Sequence, residues 1–178
     1  WEGLVAIARN RHTRHANIKP GAYHWLGASS GIRGLGLNYV IVQEYGIAEL
    51  YIDRGDAVEN KRIFDQLFAR KDEIEKAFNG TIAWERLDTK RACRIKHVIE
   101  RGGYRSPESE WPSIQAEMVD TMTAGDFDST QLKALKEFLP TDEDRTNLKA
   151  YLKQGEASEK AMAQAMADLS ECEKYMVA

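Results

Sequence analysis

The spacing of hydrophobic and polar residues changes along the chain and predicts two kinds of secondary structure. Between residues 23 and 53, apolar and polar positions alternate with a period of two, and glycines interrupt the pattern. This alternation is typical of antiparallel strands joined by hairpins. We therefore place strands at 23–28, 35–44 and 47–53.

The third of these strands, GIAELYID, shows the alternation most clearly. Successive side chains of a strand point to opposite faces. One face, which should meet the core, carries Ala48, Leu50 and Ile52. The other face carries Glu49, Tyr51 and Asp53.

A regular helical pattern follows directly. Asp56, with Glu59 three residues later, resembles a capping box. Asn79 and Gly80 suit the left-handed turn that ends a helix. Between these limits one stripe has helical spacing, formed by Asn60, Ile63, Phe64, Leu67, Phe68, Ile74 and Phe78. The pattern predicts one amphipathic helix.

The remaining elements complete a domain at residues 1–125. We expect a helix at 1–8, strands at 81–88 and 91–100, and a helix from Trp111 onward. The order is then helix, three strands, helix, two strands and helix. It predicts the α+β class, with a mixed β-sheet covered by helices. A similar order occurs in the core of restriction-endonuclease-like folds.

The tail, residues 126–178, has a different pattern that predicts helices only. These helices lie at 130–139, 141–151 and 157–176, and aromatic residues are scarce among them. They need a surface to cover their apolar sides. We expect that surface to belong to the main domain or to a second copy, which would make the tail a route to a homo-oligomer; the alternative is that these helices stay loosely ordered.

The amino-acid composition is that of an ordinary soluble protein. Its 178 residues are 43% hydrophobic and 30% charged, enough for one main core, and no apolar run reaches membrane length. Cys93 and Cys172 lie far apart and without metal-like spacing, so neither a disulfide framework nor a zinc site is expected. We expect a cytoplasmic protein without a membrane association.

The net charge of -3 conceals a basic amino-terminal end. Residues 9–19 are rich in cations that could follow a phosphate backbone. The candidate nucleic-acid-binding residues are Arg9, Arg11, Arg14 and Lys19, with Arg33 as an extension. The alternative is that the same segment is a solvated loop.

Four stretches carry a resemblance to a known family. In order and spacing, HANIKPGAYHWLGASSGIRGLGLNYVI, AELYIDRGDAVENKRIFDQLFARKDEIEKAF, WERLDTKRACRI and EWPSIQAEMVD resemble the prokaryotic domain of unknown function 4268, over residues 1–124. Members of that family look like the C-terminal parts of larger bacterial proteins, some joined to nuclease or restriction-type modules. The resemblance implies a nucleic-acid or anti-phage context. It does not imply catalysis by this domain.

The tail resembles a different family. LKALKEFLPTDEDRTNLKAYL followed by LSECEKYMVA is similar to the start of the knob region of the formin homology 2 domain. Most of that large domain has no counterpart in the chain. The resemblance implies, as a third alternative, formin-like actin or protein interaction through residues 127–178.

Several acidic residues are candidates for a restriction-type nuclease site. Such a site needs acidic ligands for Mg²⁺ on adjacent strands and a lysine two residues after one of them. Glu49, Asp53 and Glu85 are candidate acids, but no lysine follows any of them at that spacing. Lys96 or Lys90, from a neighbouring strand, could replace it. Mg²⁺ is expected only under this alternative, and no other cofactor or metal is expected.

The same carboxylates also have structural interpretations. Asp53 and Asp56 lie at a strand-to-helix turn, where carboxylates cap free amide groups. Glu49 could pair with Arg94 or Lys96 across the sheet. We therefore expect a non-catalytic or accessory domain of a prokaryotic nucleic-acid or defence protein, binding nucleic acid or a neighbouring domain. The alternative is a Mg²⁺-dependent nuclease with a rearranged site at Glu49, Asp53, Glu85 and Lys96.

Overall fold

The structure is a computed structural model that describes residues 1–11, 13–124, 150, 153–160 and 164. The chain forms two compact units, Trp1–Glu137 and Phe138–Ala178. Residues 153–160 of the second unit are helical and exposed, so this helix begins before the predicted position 157. The boundary expected near residue 126, the other tail helices and most of the formin-like stretch lie outside the described residues and stay predictions.

The first unit has the predicted α+β class. Its elements are α1 Glu2–Asn10, β1 Trp25–Ser29, β2 Leu35–Ile41, β3 Gly46–Ile52, α2 Ala57–Phe68, α3 Lys71–Phe78, β4 Ala83–Glu85, β5 Cys93–Ile99, a 3₁₀ turn at Glu108–Glu110, and α4 Trp111–Ala124. No helix in these described ranges is long and apolar enough to span a bilayer.

The five strands form one sheet in the order β1-β2-β3-β5-β4, and every pairing is antiparallel. The prediction of a mixed sheet is therefore wrong. The reason lies in the last two strands. β4 runs in the same direction as β3, but β5 returns from β4 and inserts between them, so that no parallel pair forms.

The helix predicted over residues 56–78 is two helices. The first begins as expected, because the Asp56 Oδ1 accepts a hydrogen bond of 2.7 Å from the Glu59 amide. It ends at Phe68, and α3 starts at Lys71. Asn79, with a φ of 54°, closes α3 in the predicted left-handed conformation.

The core lies on one face of the sheet. Ala48, Leu50 and Ile52 are buried there, as predicted. Helix α4 packs closely on this face, because a side chain added at Gly46 would come within 3.2 Å of the Met118 sulfur. Helix α2 packs there as well, and its Phe64 ring meets Trp84 of β4 edge to face at 6.0 Å.

The buried side chain of Asn60 in α2 joins the end of β3 to the start of β5. Its Oδ1 accepts from the Arg54 amide at 2.8 Å. Its Nδ2 donates to the Arg91 carbonyl at 3.1 Å and to the Asp53 Oδ1 at 3.3 Å. Asn60 is fully buried, so these bonds satisfy its own amide group, which water does not reach.

Lys61, the next residue, fixes the loop between β4 and β5. Its Nζ lies within hydrogen-bonding distance of four backbone carbonyl oxygens: Arg86 at 2.6 Å, Leu87 at 3.0 Å, Lys90 at 2.9 Å and Ala92 at 3.0 Å. The Cys93 sulfur lies 3.3 Å away. Leu87 has a φ of 54°, which is unfavourable for a leucine. The ammonium therefore holds a loop whose backbone is locally strained.

We expect Lys61→Met to lower the free energy of unfolding by about 2–3 kcal/mol, because loop carbonyls lose a charged donor while the apolar stem stays. Arg62→Met is the matched control: Arg62 is exposed on the same helix, and its change should stay within about 0.5 kcal/mol. Urea unfolding measures both. Equal losses in the two variants would contradict the proposed role of Lys61.

Candidate functional site

The sheet face opposite the core carries a group of polar side chains, here called the charged sheet face. It comprises Asn38, Glu49, Tyr51, Glu85, Arg94 and Lys96. The strand register brings them together: Asn38 and Lys96 lie opposite Glu49 on either side. In the next row, Tyr51 and Glu85 both lie opposite Arg94.

Glu49 is the most buried member, with only 4% of its surface exposed. Its Oε1 accepts a hydrogen bond of 3.2 Å from the Asn38 amide. Its Oε2 lies 3.9 Å from the Arg94 Nη1, and none of the described residues donates a hydrogen bond to that oxygen. The predicted pairing of Glu49 with Arg94 is therefore present as an ion pair without a hydrogen bond.

Glu85 is held by two cations. Lys96 places its Nζ 2.6 Å from one carboxylate oxygen, and the Arg94 Nε donates to the other. Burial of Glu85 would raise its pKa, but the bonds from Lys96 and Arg94 outweigh that effect and lower it. Two carboxylates and two cations thus balance on this face.

Asp53 belongs to a separate arrangement at the end of β3. The Arg91 guanidinium binds it with two hydrogen bonds, of 2.9 and 2.7 Å. The Gly55 amide donates to it at 3.0 Å and so tightens the turn into α2. The hydrogen bond from Arg91 is the main reason that the pKa of Asp53 is lowered, with further contributions from Gly55 and Asn60. This arrangement agrees with the structural interpretation of Asp53.

The predicted nuclease residues are therefore only partly brought together. Glu49, Glu85 and Lys96 are neighbours, and Asp53 is bound elsewhere by Arg91. In the described ranges, no three histidine, cysteine, aspartate or glutamate side chains converge as a metal site. A Mg²⁺ ion prefers several oxygen ligands, whereas among these candidate acids only Glu49 has an oxygen that no donor in the described part of the chain binds. These residues do not fit a Mg²⁺ site in this arrangement.

The predicted cations fall into separate groups. Arg9 and Lys19 line one groove, together with Glu2 and the Pro20 turn. Arg11 and Arg14 line a second, smaller cavity. Arg33 lies in the turn between β1 and β2 and lines neither. His12, inside this segment, lies outside the described residues.

Two exposed aromatic side chains follow the basic segment, and we call them the aromatic platform. Tyr23 is 68% exposed and Trp25 is 48% exposed. Their rings stack with centroids 6.1 Å apart and planes 27° apart. The Trp1 indole donates to the Tyr23 carbonyl at 2.6 Å, and Gly21 lies against the Tyr23 ring. Glu2, next to Trp1, and Pro20, next to Gly21, line the Arg9 and Lys19 groove, so the groove and the platform are neighbours along the chain.

The sequence analysis did not identify the pairing of Trp25 with Tyr23. The signal was present, because residues two apart share one face of a strand. It also missed Asn38, whose bond to Glu49 depends on the register of β2, and Lys61, whose acceptors lie in a distant loop. Neither the bond between Asn38 and Glu49 nor the carbonyls that Lys61 binds can be predicted from local spacing.

The family model described as domain of unknown function (DUF4268) matches residues 1–128. This confirms the resemblance expected over residues 1–124. No curated protein and no solved structure matches the chain.

The lowered pKa of Asp53 predicts a contribution to stability that depends on pH. The folded-state pKa lies below the ordinary value of 3.8, so the contribution is complete above that value and is lost as the pH falls through the folded pKa. We expect the free energy of unfolding to fall more steeply in the wild type than in Asp53→Asn below about pH 4.

Urea unfolding from pH 7 to pH 2.5 checks this expectation. Asp72→Asn, at an exposed position in the first turn of α3, is the control and should follow the wild-type curve. If Asp53→Asn also follows it, the Arg91 bonds do not stabilise the ionised carboxylate.

Proposed function

The chain belongs to the DUF4268 family, and from that premise we propose that its first unit is a non-catalytic accessory domain that binds single-stranded nucleic acid. The family description assigns no activity, so the proposal depends on the surface of the molecule. The observation that carries it is the aromatic platform, a stacked and exposed Tyr23–Trp25 pair directly after the basic segment.

Exposed aromatic rings beside a basic groove are the two components of non-specific single-strand binding. Bases stack on such rings with about 1–3 kcal/mol each, whatever their sequence. The rings of the platform are already stacked, and the bond from Trp1 fixes the Tyr23 backbone. Binding would therefore require little ordering of these side chains.

The groove supplies the cations. Arg9 is positioned by a hydrogen bond from its Nε to the Ala16 carbonyl, at 3.3 Å. Lys19 lines the groove from the opposite end of the segment, next to the Pro20 turn that leads to the platform. Phosphates of a strand stacked on Tyr23 and Trp25 would pass over these charges. Glu2 is the acidic residue of the groove and would weaken this attraction.

The carboxylates support a non-catalytic role. Cations bind Glu85 and Asp53, and Glu49 is buried under Asn38 and Arg94. A neutralised set of carboxylates suits a stable sheet face better than metal-dependent hydrolysis. The family resemblance adds the wider context: we propose a place in a larger prokaryotic nucleic-acid or defence protein, beside nuclease or restriction-type domains.

Fluorescence anisotropy with a labelled oligothymidylate over a salt series tests the proposal. We expect Trp25→Ala and Tyr23→Ala each to weaken binding about tenfold, because a base loses its stacking partner. Their salt dependence should not change. Lys19→Gln should instead reduce the slope of log K against log salt by about 0.7, as one phosphate contact disappears.

Tyr45→Ala is the matched control, since Tyr45 is an exposed tyrosine in the turn between β2 and β3. It should bind like the wild type. Wild-type affinity in both platform variants, or no binding at low salt, would overturn the proposal.

The second candidate function is a nuclease, favoured by the Glu49 oxygen, which lies beside Lys96 and receives no hydrogen bond from the residues that the structure describes. Incubation of labelled single- and double-stranded DNA with Mg²⁺ tests it. We expect the wild type to cleave no more than Glu49→Gln, because the neighbouring carboxylates are neutralised. Cleavage that requires both Mg²⁺ and Glu49 would replace the non-catalytic proposal.

A further inference from the structure

The Trp25 ring of the aromatic platform and the charged sheet face lie on the same side of the sheet. Trp25 and Gly27 are two residues apart in β1 and therefore share one face. Gly27 lies directly opposite Asn38 of β2, and Asn38 lies directly opposite Glu49 of β3. Residues that pair in this way point to the same face. The exposed indole is therefore a neighbour of the polar pair formed by Asn38 and Glu49.

The Trp25 ring and the Asn38 amide come together above Gly27, which has no side chain to separate them. A side-chain carbon added at Gly27 would lie 3.0 Å from the Trp25 Cζ3 and 2.5 Å from the Asn38 Oδ1. A carbon added at Gly36 would lie 3.3 Å from the same oxygen. The amide oxygen thus lies beside the indole ring, in space that larger residues at the two glycine positions would fill.

The Asn38 amide has a defined orientation. Its Nδ2 donates to the Glu49 Oε1 at 3.2 Å. Because a carboxylate accepts hydrogen bonds and does not donate them, the NH₂ end of the amide points to Glu49 and the carbonyl end points away from it. Glu49 is buried, which keeps its carboxylate in place. The amide therefore presents Oδ1, a hydrogen-bond acceptor, on the side of β1 and the Trp25 ring.

This acceptor is available to a ligand. The residues that the structure describes donate no hydrogen bond to the Asn38 Oδ1. Asn38 is half-buried, and its oxygen does not belong to the buried side-chain atoms of the described ranges that lack a partner. Solvent therefore reaches the oxygen. A base that displaces solvent from it must supply a donor, since an acceptor left without one costs binding energy.

We propose that Asn38 makes the aromatic platform selective for bases with an exocyclic amino group, so that cytosine binds more tightly than thymine. This inference rests on the proposed function, because it concerns a base stacked on Trp25. The amino groups of cytosine, adenine and guanine are donors, whereas thymine has the acceptor O4 where cytosine has its amino group. Stacking supplies most of the affinity for any base. Asn38 adds a hydrogen bond to cytosine and faces a second acceptor in thymine.

Glu49 is the positioning residue of this contact. Its carboxylate requires the Asn38 amide to turn its oxygen toward the base. In Glu49→Gln the new amide can donate as well as accept, so the Asn38 amide can rotate and present its NH₂ group instead. That group would favour the thymine O4. A purely structural role of Glu49 would change the affinity for both pyrimidines by the same factor, whereas a positioning role changes their ratio.

Fluorescence anisotropy of the full chain with labelled oligodeoxycytidylate and oligothymidylate of equal length tests the proposal. Slightly alkaline pH keeps cytosine uncharged. We expect the wild type to bind oligodeoxycytidylate about fivefold more tightly, the effect of one neutral hydrogen bond. Asn38→Leu removes the acceptor and should bring the ratio of the two dissociation constants to about one. Glu49→Gln should reduce the ratio or invert it.

Gln66→Leu is the matched control. Gln66 is an exposed amide of α2, and α2 packs on the opposite face of the sheet. The variant makes the same change from an amide to an aliphatic side chain and should keep the wild-type ratio. If Asn38→Leu unfolds because the Glu49 carboxylate loses its donor, Glu49→Gln still tests the proposal, since it leaves Asn38 a partner.

Two results would overturn the base preference. One is equal affinity of the wild type for the two oligonucleotides. The other is an unchanged ratio in Glu49→Gln and in Asn38→Leu, including a loss of affinity for both oligonucleotides by one common factor. Either result leaves the proposed function standing if Trp25→Ala still weakens binding. Failure of the wild type to bind either oligonucleotide contradicts the proposed function itself, and the base preference with it.

Discussion

The arrangement of the first unit depends on two neighbouring side chains of α2 that satisfy backbone groups outside any strand or helix. Asn60 bonds to the backbone at Arg54, just after β3, and at Arg91, just before β5. Lys61 binds the carbonyls of the loop that joins β4 to β5. Buried carbonyls without donors are costly. This one helix therefore makes it possible for β5 to lie between β3 and β4.

The charged sheet face and the amino-terminal segment use charge in different ways. On the sheet, each carboxylate has a cation on the adjacent strand, and the alternating signs lock the register of β3, β4 and β5. In the amino-terminal segment, arginine and lysine side chains line a groove and a smaller cavity that contain few acidic residues. The first pattern holds neighbouring strands together, and the second concentrates positive charge in the segment after α1.

Local patterns were enough to predict part of this fold. The alternation in GIAELYID identified the buried face of β3, and the spacing of Asp56 and Glu59 identified the start of α2. Both depend on neighbours within a few residues. The insertion of β5 depends on which distant strand it pairs with, and Lys61 depends on carbonyls in another loop. The periodicity of a segment does not show which distant strand or loop it contacts. The sequence therefore predicted a mixed sheet, whereas the five strands form an antiparallel sheet.

The candidate site, like the fold, could be predicted from the sequence only in part. The structure places Glu49, Glu85 and Lys96 on one face of β3, β4 and β5, and Lys96 comes from a strand that neighbours both acids, as expected for that lysine alone. The neutralisation of these acids by cations could not be predicted, because it depends on the side-chain geometry. The division of the cations into two cavities follows from where the loop after α1 returns to the helix, at the bond from Arg9 to Ala16.

The position of β5 also determines the order in which this unit can assemble. The hairpins of β1, β2 and β3 connect residues close in the chain, whereas the pairing of Ile52 with Cys93 must wait for α2, α3 and β4. Closing that long loop costs chain entropy before any contact compensates for it. The topology therefore makes this step the kinetic bottleneck, with the high contact order typical of slowly folding sheets. Until it is complete, the edge of β3 remains open to pairing with other chains.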